Sequence, residues 1–293
     1  MKIGFFGDGP WSHNALKNIY EDPELELAFI CVRSDPGDEY LIEFAQKKDI
    51  TLLQNKNINS DQFKESLRGI NFNLIVSLAF NQIFKKPLLD MPKYGAINCH
   101  AGKLPDYRGR NILNWALIND EKEFGITVHF IDEGIDTGDI ILQESFEIKD
   151  SDNYKSLLDL AHLECGNLVY KAIKQIQKGN YKTIKQDEIG KGFYCIGRKE
   201  GDEKINWNQS SRDLFNFIRA LCTPGPNAYS NLNGKKIQII SSFYDVKAKK
   251  FKGIPGSIIG INKDFFLVKT NDSYLKVTEY IFDGKLKIGD RFG

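Results

Sequence analysis

Lys2-Ile3-Gly4-Phe5-Phe6-Gly7-Asp8-Gly9-Pro10-Trp11 opens the chain with a short apolar run cut off by a glycine-rich turn, and an amphipathic stretch from Trp11 to about Tyr20 follows at once. That succession predicts a strand feeding a helix. Outward from it the alternation repeats. Apolar runs at 25–32 and 72–78 are separated by helical patterns near 39–47 and 60–68, and further strands are expected at 95–99, 125–131 and 139–148, with helices near 111–118 and 152–178. Strands alternating with helices predict the α/β class: a doubly wound, mostly parallel, Rossmann-like sheet. Ligands of such sheets sit beyond the carboxyl ends of the strands.

Past Lys178-Gly179-Asn180 the texture changes to a polar connection. Residues 208–219 then show helical periodicity, with Leu214, Phe217 and Ile218 on one face. From Ala228 onward, short β-rich runs are punctuated by Asn233-Gly234, Pro255-Gly256, Asn271-Asp272 and Asp283-Gly284, the pattern of a small antiparallel sheet or barrel. The expected organisation is a catalytic domain over 1–203, including the connection 180–203, and a smaller β-rich C-terminal domain over 204–293.

A formal net charge of +1 over 293 residues provides no broad field for a polyanion and argues against nucleic acid as the main partner. The five cysteines, at 31, 99, 165, 195 and 222, include no Cys-x-x-Cys, so neither a disulfide framework nor a zinc knuckle is indicated. The apolar start is too short for a signal peptide or a membrane span, which leaves a soluble cytoplasmic protein with reduced thiols as the expectation. Gly7-Asp8-Gly9 fails as a dinucleotide fingerprint, because Ser12 stands at the third glycine position and no acidic ribose ligand ends the second strand.

The chemistry concentrates in two loops. Asn98-Cys99-His100-Ala101-Gly102-Lys103-Leu104-Pro105-Asp106-Tyr107-Arg108-Gly109-Arg110 carries an Asn-x-His pair at a strand end, and Asp132-Glu133-Gly134-Ile135-Asp136-Thr137-Gly138 follows further along. Strand side chains alternate, so Asn98 and His100 share one side of the backbone. One can donate a hydrogen bond while the other moves a proton near neutrality, and a carboxylate of the second loop can fix the imidazole tautomer. Standing alone, such a histidine is more often a buried residue satisfied by backbone. Cys99 and His100 point to opposite faces, so no metal site is expected.

The Asn-x-His pair, Leu104-Pro105-Asp106-Tyr107-Arg108-Gly109 and the Asp132–Gly138 loop, in this order and spacing, resemble the formyltransferases that use N10-formyltetrahydrofolate. The likeness covers nearly the whole chain and is strongest from Gly95 to Gln143. The string Tyr107-Arg108-Gly109-Arg110-Asn111-Ile112-Leu113-Asn114-Trp115 is similar to sugar N-formyltransferases, which act on nucleotide-linked amino sugars. The resemblance implies the formyltransferase fold, N10-formyltetrahydrofolate as co-substrate and no metal. It implies His100 as general base, Asp136 as its orienting partner and Asn98 as donor to the oxyanion. Phe80, Asn81, Gln82 and Ile83, with Ile131, Asp132, Glu133 and Gly134, would line the pterin pocket, Gly134 and Gly138 letting backbone approach a flat ligand.

Acceptor contacts are expected from Gly9, Trp11, Lys103, Tyr107 and Arg110, and from Phe193, Tyr194 and Arg198 in the connection. Aromatic rings there suit a pyrimidine and cations a pyrophosphate. The most specific expectation is formylation of dTDP-4-amino-4,6-dideoxyglucose for lipopolysaccharide O-antigen or a related surface glycan, by a homodimer without nucleic-acid or membrane partners. The alternative is a methionyl-tRNA formyltransferase, which shares the catalytic loops and the C-terminal β module.

Overall fold

The opening apolar run forms β1 (Lys2–Gly7) in the computed structural model, which describes all 293 residues, and Pro10 begins α1 (Pro10–Glu21). Proline suits a first helical turn because its missing N–H would have no partner there. The chain continues through β2 (Glu26–Val32), α2 (Glu39–Lys47), β3 (Leu52–Gln54), α3 (Asp61–Ser66), β4 (Leu74–Leu78), α4 (Lys86–Leu89), β5 (Ala96–His100) and β6 (Arg108–Gly109). Then come α5 (Ile112–Ile118), β7 (Glu123–Phe130), β8 (Ile140–Glu147), α6 (Tyr154–Lys178), α7 (Gln186–Ile189) and β9 (Tyr194–Cys195). The last elements are α8 (Ser211–Leu221), β10 (Ala228–Leu232), β11 (Lys235–Phe243), β12 (Ile258–Ile261), β13 (Phe266–Lys269) and β14 (Tyr274–Ile281). Several helix starts follow from single residues. Asp38 accepts from Leu41 N at 2.8 Å to cap α2, Ser60 from Phe63 N at 3.2 Å to cap α3, and Ser210 from Asp213 N at 3.1 Å to cap α8. Each such cap contributes about 1 kcal/mol.

Seven strands form the larger sheet in the order β3-β2-β1-β4-β5-β7-β8. The first five pair in parallel, whereas β7 runs antiparallel to β5. The central strands β1 and β4 are buried on both faces, so β4 reads as an apolar run without alternation. One face of that core is aromatic: Phe6 meets Phe29, Phe63, Phe80 and Phe84 edge-on, with ring centroids 5.6, 6.2, 5.3 and 5.0 Å away.

Two compact units make up the chain. Residues 1–110, 124–146 and 159–195 form one, and residues 111–123, 147–158 and 196–293 the other. This differs from a single boundary at 203/204, because two segments from earlier in the chain pack with the C-terminal residues. Within the second unit, Asn114 of α5 donates to the Ala220 carbonyl of α8 at 2.5 Å, and Arg219 of α8 donates to the Lys149 and Asp152 carbonyls at 2.8 and 3.1 Å. A distant hydrogen-bond partner of this kind leaves no periodic trace in sequence. The antiparallel sheet there has the order β10-β11-β14-β13-β12 and covers Leu214, Ile218 and Leu221 of α8 in a shared core. Asn233 and Gly234, both with positive φ (52° and 77°), make the two-residue turn between β10 and β11.

Arg212 donates to Asp120 Oδ1 from Nε at 3.1 Å and to Asp150 Oδ1 from Nη2 at 2.7 Å, tying the two early segments to α8. Burial pushes the Asp120 carboxyl up, but the Arg212 and Lys122 cations outweigh it and hold the group down at about 2. Its stabilising contribution is therefore complete above the ordinary carboxylate range, near 3.9, and is lost as the pH falls through about 2. Urea unfolding of Asp120→Asn should show a deficit against the wild type at pH 7 that shrinks steadily below pH 4. A deficit that is unchanged at the lowest pH would contradict this.

Candidate active site

Ser77 on β4, Asn98 on β5 and His129 on β7 are register partners and form one polar row across three neighbouring strands. All three line one open cleft. Phe80, Gln82, Ile83 and Phe84, which follow β4, form one wall, and Ile131, Asp132, Gly134, Ile135 and Asp136, which follow β7, form the other. Aromatic and aliphatic side chains interspersed with amide, imidazole and carboxylate groups fit a flat heteroaromatic group that needs hydrogen bonds at its edge.

Most residues expected around the pterin therefore meet here: Phe80, Gln82, Ile83, Ile131, Asp132 and Gly134. Asn81 and Glu133 do not line the cleft; Asn81 reaches instead toward Asp35, with Nδ2 3.5 Å from Oδ1. Asp132 folds its own loop, its Oδ1 accepting from Thr137 Oγ1 at 2.6 Å and from Gly134 N at 3.1 Å. Gly138 has a reason other than ligand approach, because a methyl there would overlap the Phe130 carbonyl oxygen.

His100 is 8% exposed and does not line this cleft. Its Nε2 donates to the Tyr107 carbonyl at 2.7 Å, and its Nδ1 lies 3.5 Å from Asp136 Oδ2. Tyr107 adopts φ 57° to turn that carbonyl inward, and Gly102 must lack a Cβ, since one would collide with His100 Nε2 and lie 2.6 Å from Tyr107 O. Asp136, itself at φ 54°, also accepts from Gly109 N at 2.9 Å, and its Oδ1 stands 3.6 Å from His129 Nε2. Burial alone would raise the Asp136 carboxyl. The His100 and His129 rings and the Gly109 N–H outweigh it and hold the group well below the usual carboxylate range. The carboxylate is thus ionised throughout the working pH range and can fix an imidazole beside it.

Two residues of the candidate site escape the sequence reading. His129 is legible only through the register that sets it opposite Asn98, although its two-residue spacing from Thr127 on a strand marked the face it would take. Gln186, 3% exposed in the short α7, donates from Nε2 to the Asp136 and Gly138 carbonyls at 2.8 Å each and accepts from Arg108 Nε and Nη2 at 3.0 and 2.6 Å. This one amide ties Arg108 to the 136–138 loop. No local pattern signals it.

Among the residues expected to meet the acceptor, Tyr107 is buried with its ring 4.8 Å from Phe193, while Phe193, Tyr194, Lys103 and Arg110 are exposed. Trp11 packs edge-on to His162 at 4.5 Å just after the Gly9 turn. Arg198 belongs to the second unit, its side chain 8% exposed and Nη1 4.0 Å from Glu203 Oε1, with Nε and Nη1 lacking hydrogen-bond partners. It is therefore not a cation offered to solvent. No three metal-capable side chains stand together anywhere in the chain, and no helix is long and apolar enough to cross a membrane.

Residues 17–173 match the Formyl transferase family, and residues 198–290 match the Formyl transferase, C-terminal domain family. The chain belongs to the formyl transferase family. Its one-carbon donor is N10-formyltetrahydrofolate, the co-substrate of this family. Among solved structures, this formyltransferase is similar to WlaRD, a sugar 3N-formyl transferase crystallised with dTDP and 5-N-formyl-THF. The TM-score is 0.74 at 24% identity, covering 98% of this chain and 99% of that one. It is also similar to the N-formyltransferase from Helicobacter canadensis in complex with folinic acid and dTDP-3-aminofucose (TM-score 0.72, 23% identity, 96% and 100% coverage). Likeness at that identity establishes the fold.

Sequence relatives stand nearer. The methionyl-tRNA formyltransferase of Fusobacterium nucleatum is 35% identical over 284 residues, covering 95% of this chain and 91% of that protein. The methionyl-tRNA formyltransferase of Halothermothrix orenii is 33% identical, covering 100% and 96%. These relatives overturn the expectation of a nucleotide-linked amino sugar as acceptor and of a role in O-antigen assembly. The reason is physical: the loops at 98–110 and 132–138, on which that expectation rested, meet around one cleft and one buried histidine–carboxylate pair, and nothing in them distinguishes one amine acceptor from another.

Proposed function

We propose that this formyltransferase moves the formyl group of N10-formyltetrahydrofolate to the α-amine of methionyl-tRNA. The observation that carries the reading is identity of 35% and 33% to methionyl-tRNA formyltransferases along nearly the full length of both chains. The neutral overall charge is compatible with it, because charge is distributed unevenly. Lys247, Lys249, Lys250 and Lys252 are all exposed within six residues of the second unit, and local clusters of this kind supply phosphate contacts.

N10-formyltetrahydrofolate supplies an activated formyl carbon, and the cleft beside Asn98 has the aromatic, aliphatic and polar side chains to hold its pterin end. Asn98 donates its side-chain amide to the carbonyl oxygen as negative charge develops, a contribution of roughly 3 kcal/mol in comparable sites. For His100 to act as base its ring proton sits on Nδ1, toward Asp136, instead of on Nε2; Nε2 then takes the proton of the attacking amine and delivers it to N10 of the departing tetrahydrofolate, while Asp136 holds the ring and stabilises the imidazolium. Both ring nitrogens of His100 face acceptors, so the amine reaches Nε2 only when the Tyr107 carbonyl swings aside.

The test is a formylation assay with N10-formyltetrahydrofolate and charged methionyl-tRNA. Formylmethionyl-tRNA should accumulate catalytically, with tRNA affinity falling at least about ten-fold between about 50 and 200 mM salt, as expected of phosphate contacts. Failure to formylate methionyl-tRNA at saturating donor, with turnover of a small amine instead, would overturn the assignment.

A further inference from the structure

We propose that His129 is a positioning residue that fixes the side-chain amide of Asn98 for its work on the oxyanion, an inference that rests on the role given to Asn98 above. His129 is 2% exposed on β7, directly opposite Asn98. Its Nδ1 stands 2.7 Å from the Phe130 carbonyl oxygen. A carbonyl oxygen only accepts, so Nδ1 carries the proton, and in the neutral ring Nε2 presents a lone pair.

That lone pair faces Asn98 Nδ2 at 3.3 Å. It admits an N–H and repels a carbonyl oxygen, so it selects one of the two orientations of the Asn98 amide. Nδ2 turns toward His129 and gives it one of its two N–H groups. The second N–H of the same nitrogen remains for the cleft that both residues line. With the amide flipped, an oxygen would stand where the developing oxyanion needs a donor. Asp136 Oδ1 lies 3.6 Å from the same Nε2, farther than Asn98 Nδ2 at 3.3 Å, so the amide is the nearer partner of that nitrogen.

The experiment is a double-mutant cycle combined with a spectrum that needs no acceptor. With N10-formyltetrahydrofolate and methionyl-tRNA, His129→Ala should lower kcat about 10- to 100-fold with little change in KM for the donor. Asn98→Ala should lower kcat at least about 100-fold. In the Asn98→Ala background, His129→Ala should cost almost nothing more, because the two act as one unit. His129→Gln, whose amide oxygen can accept from Asn98 Nδ2, should recover most of the loss. Long-range 1H–15N spectra of 15N-histidine-labelled protein should show His129 protonated at Nδ1 alone, with an Nε2 resonance that shifts in Asn98→Ala.

Wild-type turnover of His129→Ala, or the same fractional loss in both backgrounds, overturns the proposal. So does a His129 ring protonated at Nε2, which would turn to Asp136 and leave the amide unheld. Near-wild-type turnover of Asn98→Ala removes the oxyanion role itself, and with it the reading on which this inference stands.

Discussion

Replacing His100 by asparagine lowers formyl transfer by at least about 10²-fold, as expected for loss of a general base, and Asp136→Asn lowers it by a similar factor. The two act through one geometry. His100 Nδ1 lies 3.5 Å from Asp136 Oδ2, and that oxygen also accepts from Gly109 N at 2.9 Å. An amide at 136 keeps the shape but removes the charge that stabilises the imidazolium. With its nitrogen in the place of Oδ2 it also sets an N–H against the Gly109 N–H, and in the flipped rotamer it turns that nitrogen toward His129 Nε2. Because both side chains are small and already hydrogen-bonded in place, the variants should fold, with circular dichroism and urea midpoints close to wild type. Steady-state kinetics on the purified variants decides the matter: near-wild-type turnover of either one would exclude the assigned mechanism.

Gly138→Ala should lose activity by at least about 10²-fold although residue 138 does not line the cleft, because small displacements of catalytic groups are costly. A Cβ there overlaps the Phe130 carbonyl oxygen and comes 2.8 Å from its carbonyl carbon, and these are backbone atoms that cannot rotate away. Phe130 N is itself bonded to Asp139 O at 2.9 Å, and Gly138 O accepts from Gln186 Nε2 at 2.8 Å. The 136–138 loop must therefore lift, taking the Asp136 carboxylate from His100. Overpacking of this kind typically costs 1–3 kcal/mol, roughly, so a lowered urea midpoint should accompany the lost turnover. Wild-type stability together with wild-type turnover would show that the loop has slack the packing does not suggest.

Strand-length apolar runs at 2–7 and 72–78 announced β1 and β4 because strands buried on both faces must be apolar throughout. The same locality made the Asn98–His100 pair legible. What escaped was non-local. The short β3 carries too little pattern to register, and the grouping of 111–123 with the C-terminal unit depends on Asn114 meeting Ala220 and Arg212 meeting Asp120, partners about a hundred positions apart. The acceptor was misread for a related reason: Tyr107–Trp115 lies on the shared catalytic frame, whereas acceptor choice is a property of surfaces assembled from several segments.

By itself the sequence determined the layered α/β class and the two glycine-punctuated loops that carry Asn98, His100 and Asp136, since alternation and turn chemistry act over a few residues. Only the tertiary structure decided that His129 stands opposite Asn98, that Gln186 clamps Arg108 to the 136–138 loop, and that the Tyr107 carbonyl occupies His100 Nε2. Strand register and loop docking are set by the burial of a whole sheet face and by the demand that every buried amide find a partner, and both conditions are met only when distant segments come together.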